Sequence, residues 1–217
     1  MTATSLQLAR LLQLASPALP VGAYTYSQGL EWAVESGAIR DEVTAGRWIS
    51  DLLMHGIGRY EAPLVGALMV AWSAGNNDEL LRLNAEFLAS RESAELRAET
   101  AQMGFSLARL VRDLRDPALN GVESTLAGLP EIGFPTGWSG IAVVWGIEPE
   151  AALVAYLWSW AENQVMAALK AVPLGQAAGQ RLLADLGGKI PSVAVDATNR
   201  PENAWSNFTP AFAIACA

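Results

Sequence analysis

The sequence predicts an all-α protein, a single-domain helical bundle of about nine to ten helices spanning residues 1–217. Apolar residues recur at helical spacing along most of the chain, and no run shows sustained period-2 alternation of the kind that marks strands. Apolar residues make up 52% of the chain and charged residues only 17%, which favours a sizeable core. Within this domain, residues 189–217 are rich in Pro, Asn, Ser and Thr, and are predicted to form a loop-rich C-terminal segment.

Prolines, glycines and capping residues place the helix boundaries. The residue before Pro17 is biased away from helical geometry, Gly37 stands where a helix commonly ends, and Pro149 suits a first helical position. Asp78 and Ser90 are candidate caps for the helices that follow them. Residues 130–140 are predicted to be the least regular stretch, and Gly187-Gly188 to break the last helix. The helices predicted on these grounds cover about residues 6–16, 24–36, 41–56, 61–74, 78–88, 91–115, 119–129, 139–145, 150–171 and 174–186.

Composition argues against several classes of function. The net charge is −8 with no basic run, so nucleic acid is not an expected partner. The longest uncharged run, residues 11–30, is interrupted by prolines and polar side chains, which disfavours a membrane span or a signal peptide. His55 and Cys216 are the only histidine and cysteine, too few for a zinc or nickel site within one chain, and only a symmetric dimer could bring two copies of either together in a weak intersubunit site. No phosphate-binding or nucleophile motif occurs. We therefore expect a cytoplasmic protein with no catalytic residues, metal site or cofactor.

The most informative stretch is residues 11–35, called the elbow below. It joins two predicted helices through a loop that contains Pro17, Pro20 and Gly22. Polar and aromatic residues then follow closely: Tyr24, Tyr26, Ser27, Gln28 and Glu31. A loop that only turns the chain does not need this set of side chains, so the pattern indicates a surface for protein contact.

Two further groups of polar residues each have an ordinary and a functional interpretation. Residues 162–164, Glu-Asn-Gln, interrupt an otherwise apolar helix; an exposed or interhelical patch is favoured over a functional cluster. Arg91, Glu95 and Glu99 follow one another at four-residue spacing and so share a helix face. A solvated face is the favoured interpretation there, ahead of a partner interface and of acid–base catalysis.

Three stretches resemble the urease accessory protein F (UreF) family: LLQLASPALPVGAYTYSQGLEWAVE at 11–35, SRESAELRAETAQMGFSLARL at 90–110, and AENQVMAALKAVPLGQAAGQRLL at 161–183. The resemblance implies an all-helical homodimer with a non-catalytic role in urease maturation, by nickel metallocentre assembly. It further implies an adaptor that bridges a UreD/UreH-type protein, the UreG-type GTPase and apo-urease, with nickel handled by the complex. Family members typically continue with a basic, aromatic C-terminal tail, which this sequence is expected to lack.

The resemblance also implies particular contact residues. Tyr24, Ser27, Gln28 and Glu31 match the family's elbow motif, and Lys170 matches a basic position associated with the GTPase-facing surface. Tyr24 has an alternative as a packed aromatic at a helix entry, and Lys170 as an ordinary lysine favoured by the helix dipole. An alternative function is regulation of the partner GTPase, as activator or brake, through an arginine finger. The candidate arginines are Arg59, Arg91, Arg97 and Arg181.

Overall fold

Ten α-helices account for most of the computed structural model, which describes residues 4–22 and 28–207. No strand occurs in these two ranges, so the all-α prediction is confirmed. The single-domain assignment stays a prediction. The helices are α1 (Ser5–Leu14), α2 (Leu30–Glu35), α3 (Glu42–Asp51), α4 (Glu61–Ala74), α5 (Asn77–Ala89), α6 (Ala94–Leu114), α7 (Asn120–Ala127), α8 (Phe134–Val144), α9 (Pro149–Ala171) and α10 (Gln176–Asn199).

Helix ends follow the local signals closely, with three corrections. The helix predicted over 24–36 is wrong at residues 28–29, because Gln28 and Gly29 are left-handed and α2 begins at Leu30. Pro149 opens α9, and Gly37 follows α2 with a φ of 76°. Asp78, however, is not the cap of α5, because the side chain of Asn76 accepts the hydrogen bond from the Glu79 amide. Ser93 caps α6 in place of Ser90, whose hydroxyl donates to Phe87 at the end of α5. Both capping errors are short shifts between neighbouring residues of equal capping ability.

The core is built around α9, which packs against α10, α4, α2, α1, α3 and α8. Trp138 of α8 is buried against Tyr156 of α9, with the two rings edge to face at 5.0 Å. A smaller apolar cluster joins α4 and α5 around Tyr60, Leu64 and Phe87. Trp205 closes this cluster by an edge contact with Tyr60. None of the helices in the described ranges combines the length and apolar character that crossing a membrane requires.

The prediction of irregular structure at 130–140 is wrong from residue 134 onward. Helix α8 begins at Phe134, and Pro135 occupies its first turn, where a missing amide hydrogen costs nothing. The amide of Gly133 donates to the Asn84 side chain on α5, which fixes the entry to the helix. This tertiary anchor lies 49 residues away in sequence, so no local pattern reveals it.

The prediction of a loop-rich segment at 189–217 is wrong for residues 189–199, because α10 continues through Gly187-Gly188 to Asn199. Each glycine costs about 1 kcal/mol and the internal proline about 3 kcal/mol or more in a helix. The burial of a continuous apolar stripe on α10 outweighs these costs. Gly187 also allows close packing, because a Cβ atom at this position would lie only 3.2 Å from the Trp158 ring of α9. The stripe consists of Leu186, Ile190, Val193, Ala194 and Ala197.

Candidate partner-binding site

The first half of the elbow is fixed to the core. Leu14 is buried, and its carbonyl accepts a hydrogen bond of 3.4 Å from the Trp138 indole. The next carbonyl, that of Ala15, accepts from the Ser159 hydroxyl of α9 at 3.1 Å. Val21 is also buried. These contacts with α8 and α9 give the described part of the elbow a defined position on the protein.

Gln28 connects the elbow to the interior. Its φ is 49° and that of Gly29 is 77°, so two successive left-handed residues redirect the chain into α2. A glutamine in this region is strained and must be held by its surroundings. Its Nε2 donates to the Glu99 carboxylate of α6 at 2.7 Å. Its Oε1 accepts from Trp160 at 2.8 Å and from Gln164 at 3.1 Å, both on α9.

The predicted contact residues therefore fall in different places. Gln28 is half-buried with its side chain directed inward, whereas Glu31 is exposed on α2. Lys170 is exposed in the last turn of α9 and forms no ion pair with any residue of 4–22 or 28–207. Tyr24 and Ser27 lie outside the described residues. Sequence reasoning missed Trp32, which is 42% exposed beside Glu31.

A cluster of charged residues lies on the inner side of the elbow, next to Gln28. The Arg91 guanidinium pairs with Glu61 of α4 at 3.2 Å and covers the Phe87 ring at 4.1 Å from its centre. The Tyr156 hydroxyl donates to the other oxygen of Glu61. Glu99 lies in the same region and is buried. The solvated-face interpretation is therefore wrong for Arg91 and Glu99, although it is right for Glu95, which is exposed.

Burial governs the protonation of this cluster. Loss of hydration raises the pKa of Glu99 to about 7, and the nearby Glu61 charge adds to the rise, whereas the Gln28 hydrogen bond and Arg91 oppose it. Burial also raises the pKa of the Tyr156 phenol, and the adjacent Glu61 carboxylate raises it further. Glu99 is thus a carboxyl group that changes protonation near neutral pH.

Two polar residues of α9 lie next to this cluster: Gln164 donates to Gln28, and Asn163 lines the same cavity as Glu99. Gln164 is fully buried and Asn163 nearly so, while Glu162 is half-buried, so the favoured interpretation of an interhelical patch holds for the first two. A helical-wheel argument could have found the buried positions. Glu99 falls in the apolar stripe of Leu96, Met103 and Leu107, and Gln164 falls in a comparable stripe on α9.

Two small adjoining cavities lie between the elbow and the charged cluster. They enclose about 90 Å³ and 70 Å³ and share a wall. Both are far below the roughly 300 Å³ of typical small-molecule sites. The shared wall consists of Gln28, Glu61, Arg91, Leu96 and Trp160.

Metal-ligating residues do not converge in the described structure. Within residues 4–22 and 28–207, no group of three or more His, Cys, Asp or Glu side chains could hold a metal ion. His55 is exposed in a single π-helical turn at Leu52–Gly56, and Cys216 lies outside the described residues. The described residues define the class as an all-helical protein in which the first half of the elbow is held on the core.

Comparison with known proteins agrees with this class. The UreF family model matches residues 39–187. The urease accessory protein UreF of Dechloromonas aromatica is 74% identical over 214 residues, covering 99% of this chain and 94% of that protein. The UreF protein of Azoarcus sp. is 60% identical, and the alignment covers 97% of this chain and 90% of that protein. The UreF protein of Methylobacillus flagellatus is 49% identical, and the alignment covers 97% of this chain and 92% of that protein. The chain belongs to the UreF family, and its role is that of an accessory protein in urease maturation, not an enzyme.

Proposed function

We propose that this chain is a cytoplasmic homodimeric adaptor for nickel metallocentre assembly in urease. In this proposal it bridges a UreD/UreH-type protein, the UreG-type GTPase and apo-urease. It has no catalytic step and no cofactor of its own, and nickel is cargo of the complex. Family membership supports the urease-related role, and the geometry of the elbow supports the adaptor role.

The observation that carries the proposal is the division of the elbow into an inner and an outer side. Gln28 directs its three hydrogen bonds into the protein, to Glu99, Trp160 and Gln164. Glu31 and Trp32 follow at once on α2 and are exposed. Tryptophan is enriched among the residues that contribute most to the binding energy of protein interfaces. An internally anchored short helix with an outward tryptophan and carboxylate suits docking of another protein.

Lys170 is a second exposed side chain that suits contact with a partner protein. It stands in the last turn of α9, where a cation is favoured by the helix dipole. Because no ion pair with a described residue uses its charge, Lys170 remains available to a carboxylate of a partner. The dipole alone accounts for a lysine at this place, so its contribution to binding requires a direct test.

Capture of purified partners tests these surfaces. Tagged UreG-type GTPase together with the UreD/UreH-type protein is incubated with the full chain or with Glu31→Ala, Trp32→Ala and Lys170→Ala. We expect each variant to lower recovery about tenfold, equivalent to about 1.4 kcal/mol, with thermal stability unchanged. Glu35→Ala, an exposed carboxylate one turn further along α2, and Lys170→Arg serve as matched controls. Full recovery by every variant would contradict the docking role.

Regulation of the partner GTPase is the alternative, and one arginine favours it. Arg91 is paired with Glu61, Arg97 with Glu131 and Arg181 with Glu42. Arg59 is exposed, and its side chain has no partner among residues 4–22 and 28–207. Measuring GTP hydrolysis in the same captured samples separates the two functions. An adaptor leaves the rate unchanged, whereas a regulator changes it and Arg59→Ala abolishes the change.

A further inference from the structure

We propose that the open groove between α3 and α10 is the face on which a second copy of this chain binds. In this arrangement α3 packs against the α3 helix of the second copy, antiparallel to it, about a two-fold axis. The homodimer belongs to the proposed function, on which this assignment rests. The groove adds the surface through which the two copies meet and the side chains that join them.

The groove lies between two helices that run side by side in the same direction. The Glu42 carboxylate at the start of α3 pairs with Arg181 of α10 at 2.6 Å. Eight residues further along both helices, the Lys189 ammonium donates a hydrogen bond to the Ser50 hydroxyl at 2.8 Å. Between these contacts the helices approach closely, because a Cβ atom at Gly46 would lie only 2.9 Å from the leucine side chain that faces it on α10. These contacts hold the groove in a defined shape, with a volume of about 450 Å³ that is open to solvent.

One face of α3 and of the turn after it carries apolar side chains at its ends and two charges in its middle. Val43 is 69% exposed and Met54 is 36% exposed, so both leave apolar surface in water. Arg47 and Asp51 lie between them and are exposed, and neither forms an ion pair within the part of the chain that the structure describes. The spacing of four, four and three residues places these side chains on the same face, and all four line the groove.

The order of these four side chains makes the face complementary to itself. Along the chain the order is apolar, positive, negative and apolar. Two copies placed antiparallel about a two-fold axis bring Arg47 of each copy opposite Asp51 of the other. Val43 of each copy then meets Met54 of the other, so every contact occurs twice, as an isologous interface requires. Parallel α3 helices would place like charges together, so the charges select the antiparallel direction.

The charge of the groove also suits contact between two acidic chains. The chain has a net charge of −8, so surfaces with that excess of negative charge repel each other. The groove is different, because its charged lining is balanced between three acidic and three basic residues. These residues are Glu42, Asp51, Asp185, Arg47, Arg181 and Lys189. A site for a strongly acidic or basic partner would carry an excess of one sign, whereas a balanced and self-complementary face fits a second copy.

Charge reversal on the full, partner-free chain tests this face. Arg47→Asp places two carboxylates opposite each other at both symmetry-related contacts, and Asp51→Arg places two guanidinium groups there. We expect each change to raise the dissociation constant of the dimer about a hundredfold, measured by sedimentation over a range of protein concentrations. The double variant Arg47→Asp/Asp51→Arg restores both opposite-charge pairs and should dimerise within about threefold of the wild type. Arg112→Asp, a reversal at an exposed position of α6, should leave the dissociation constant unchanged.

Mixing the two single variants tests the pairing directly. Each variant alone meets like charges, but in mixed dimers every contact joins opposite charges, so an equimolar mixture should form mixed dimers with nearly the affinity of the wild type. Because a misfolded chain could not recover in this way, the mixture separates loss of folding from loss of contact, and absence of mixed dimers would overturn the groove.

The remaining outcomes distinguish the groove from the proposed function. A monomeric wild type would overturn the groove together with the homodimer of the proposed function. A dimer that is insensitive to both reversals would overturn the groove alone and leave that homodimer standing. Reversals that lower capture of the UreD/UreH-type protein and the UreG-type GTPase while the dimer stays intact would also overturn it, because the groove would then bind one of those proteins.

Discussion

Two buried polar networks in this protein differ in charge: the one around Asn84 is made of neutral groups, and the one around Glu99 contains a carboxyl group. Around Asn84, which is 4% exposed, the side-chain oxygen accepts from the Gly133 amide and the Thr136 hydroxyl at 2.9 Å each, and the nitrogen donates to Glu131. This network is neutral. Around Glu99, by contrast, a carboxyl group with one amide donor lies beside an ion pair and a cavity.

The difference separates a structural anchor from an adjustable site. A buried neutral group with all its hydrogen bonds made has nothing to gain from water, so it holds its elements permanently. The Asn84 network thereby fixes the start of α8 to α5. A buried carboxyl whose charge is poorly compensated gains hydration whenever its cover moves. The region around Glu99, rather than the start of α8, is therefore where stability is expected to depend on pH.

The largest expected effect comes from breaking the neutral network. Asn84→Ala leaves two buried donors, the Gly133 amide and the Thr136 hydroxyl, and the partly buried Glu131 carbonyl without their hydrogen bonds, and should lower the free energy of unfolding by about 3 kcal/mol. Because none of these groups titrates between about pH 5 and pH 8, the loss should be the same throughout that range. Urea denaturation at several pH values measures it. Asn120→Ala, at an exposed position, should change stability by less than about 0.5 kcal/mol. A loss that varies with pH would remove the distinction between the networks.

A smaller and pH-dependent effect is expected at Glu99. Because the folded-state pKa is raised to about 7 from 4.5, the native protein keeps a proton that the unfolded chain releases. The wild type therefore loses stability as pH rises from about 4.5 to about 7, and the loss is complete above that range. Glu99→Gln lacks this loss. It should match the wild type near pH 4.5 and exceed it by about 3 kcal/mol at pH 8. A difference that stays constant between these values would contradict the protonation assigned to Glu99.

Much of the fold was predictable because helix boundaries depend on local chemistry. Pro149 and Gly37 act through the backbone of their own neighbourhood, whereas both predicted caps, Asp78 and Ser90, were displaced by a nearby residue. The end of α10 was not predictable in this way. Gly187, Gly188 and Pro191 all argue locally for a break, and only burial against α9 explains why the helix continues.

The candidate site was predictable only in part. The elbow was found from its residue types, but the inward direction of Gln28 depends on Glu99, Trp160 and Gln164, which lie 71, 132 and 136 positions away. Glu99 was misjudged because four-residue spacing of charges usually marks an exposed face. The apolar stripe that also passes through it is the stronger signal, since a charge in such a stripe must be buried. Arg91 joins the cluster through its contact with α4, which no local pattern gives.

Activation of apo-urease tests the central claim most directly. Purified apo-urease is incubated with nickel, GTP, the UreD/UreH-type protein and the UreG-type GTPase, with or without this chain, and urease activity is then measured. The adaptor account predicts that activity appears only when the chain is present, and that Trp32→Ala lowers it while Glu35→Ala does not. Equal activation in the absence of the chain would contradict the account.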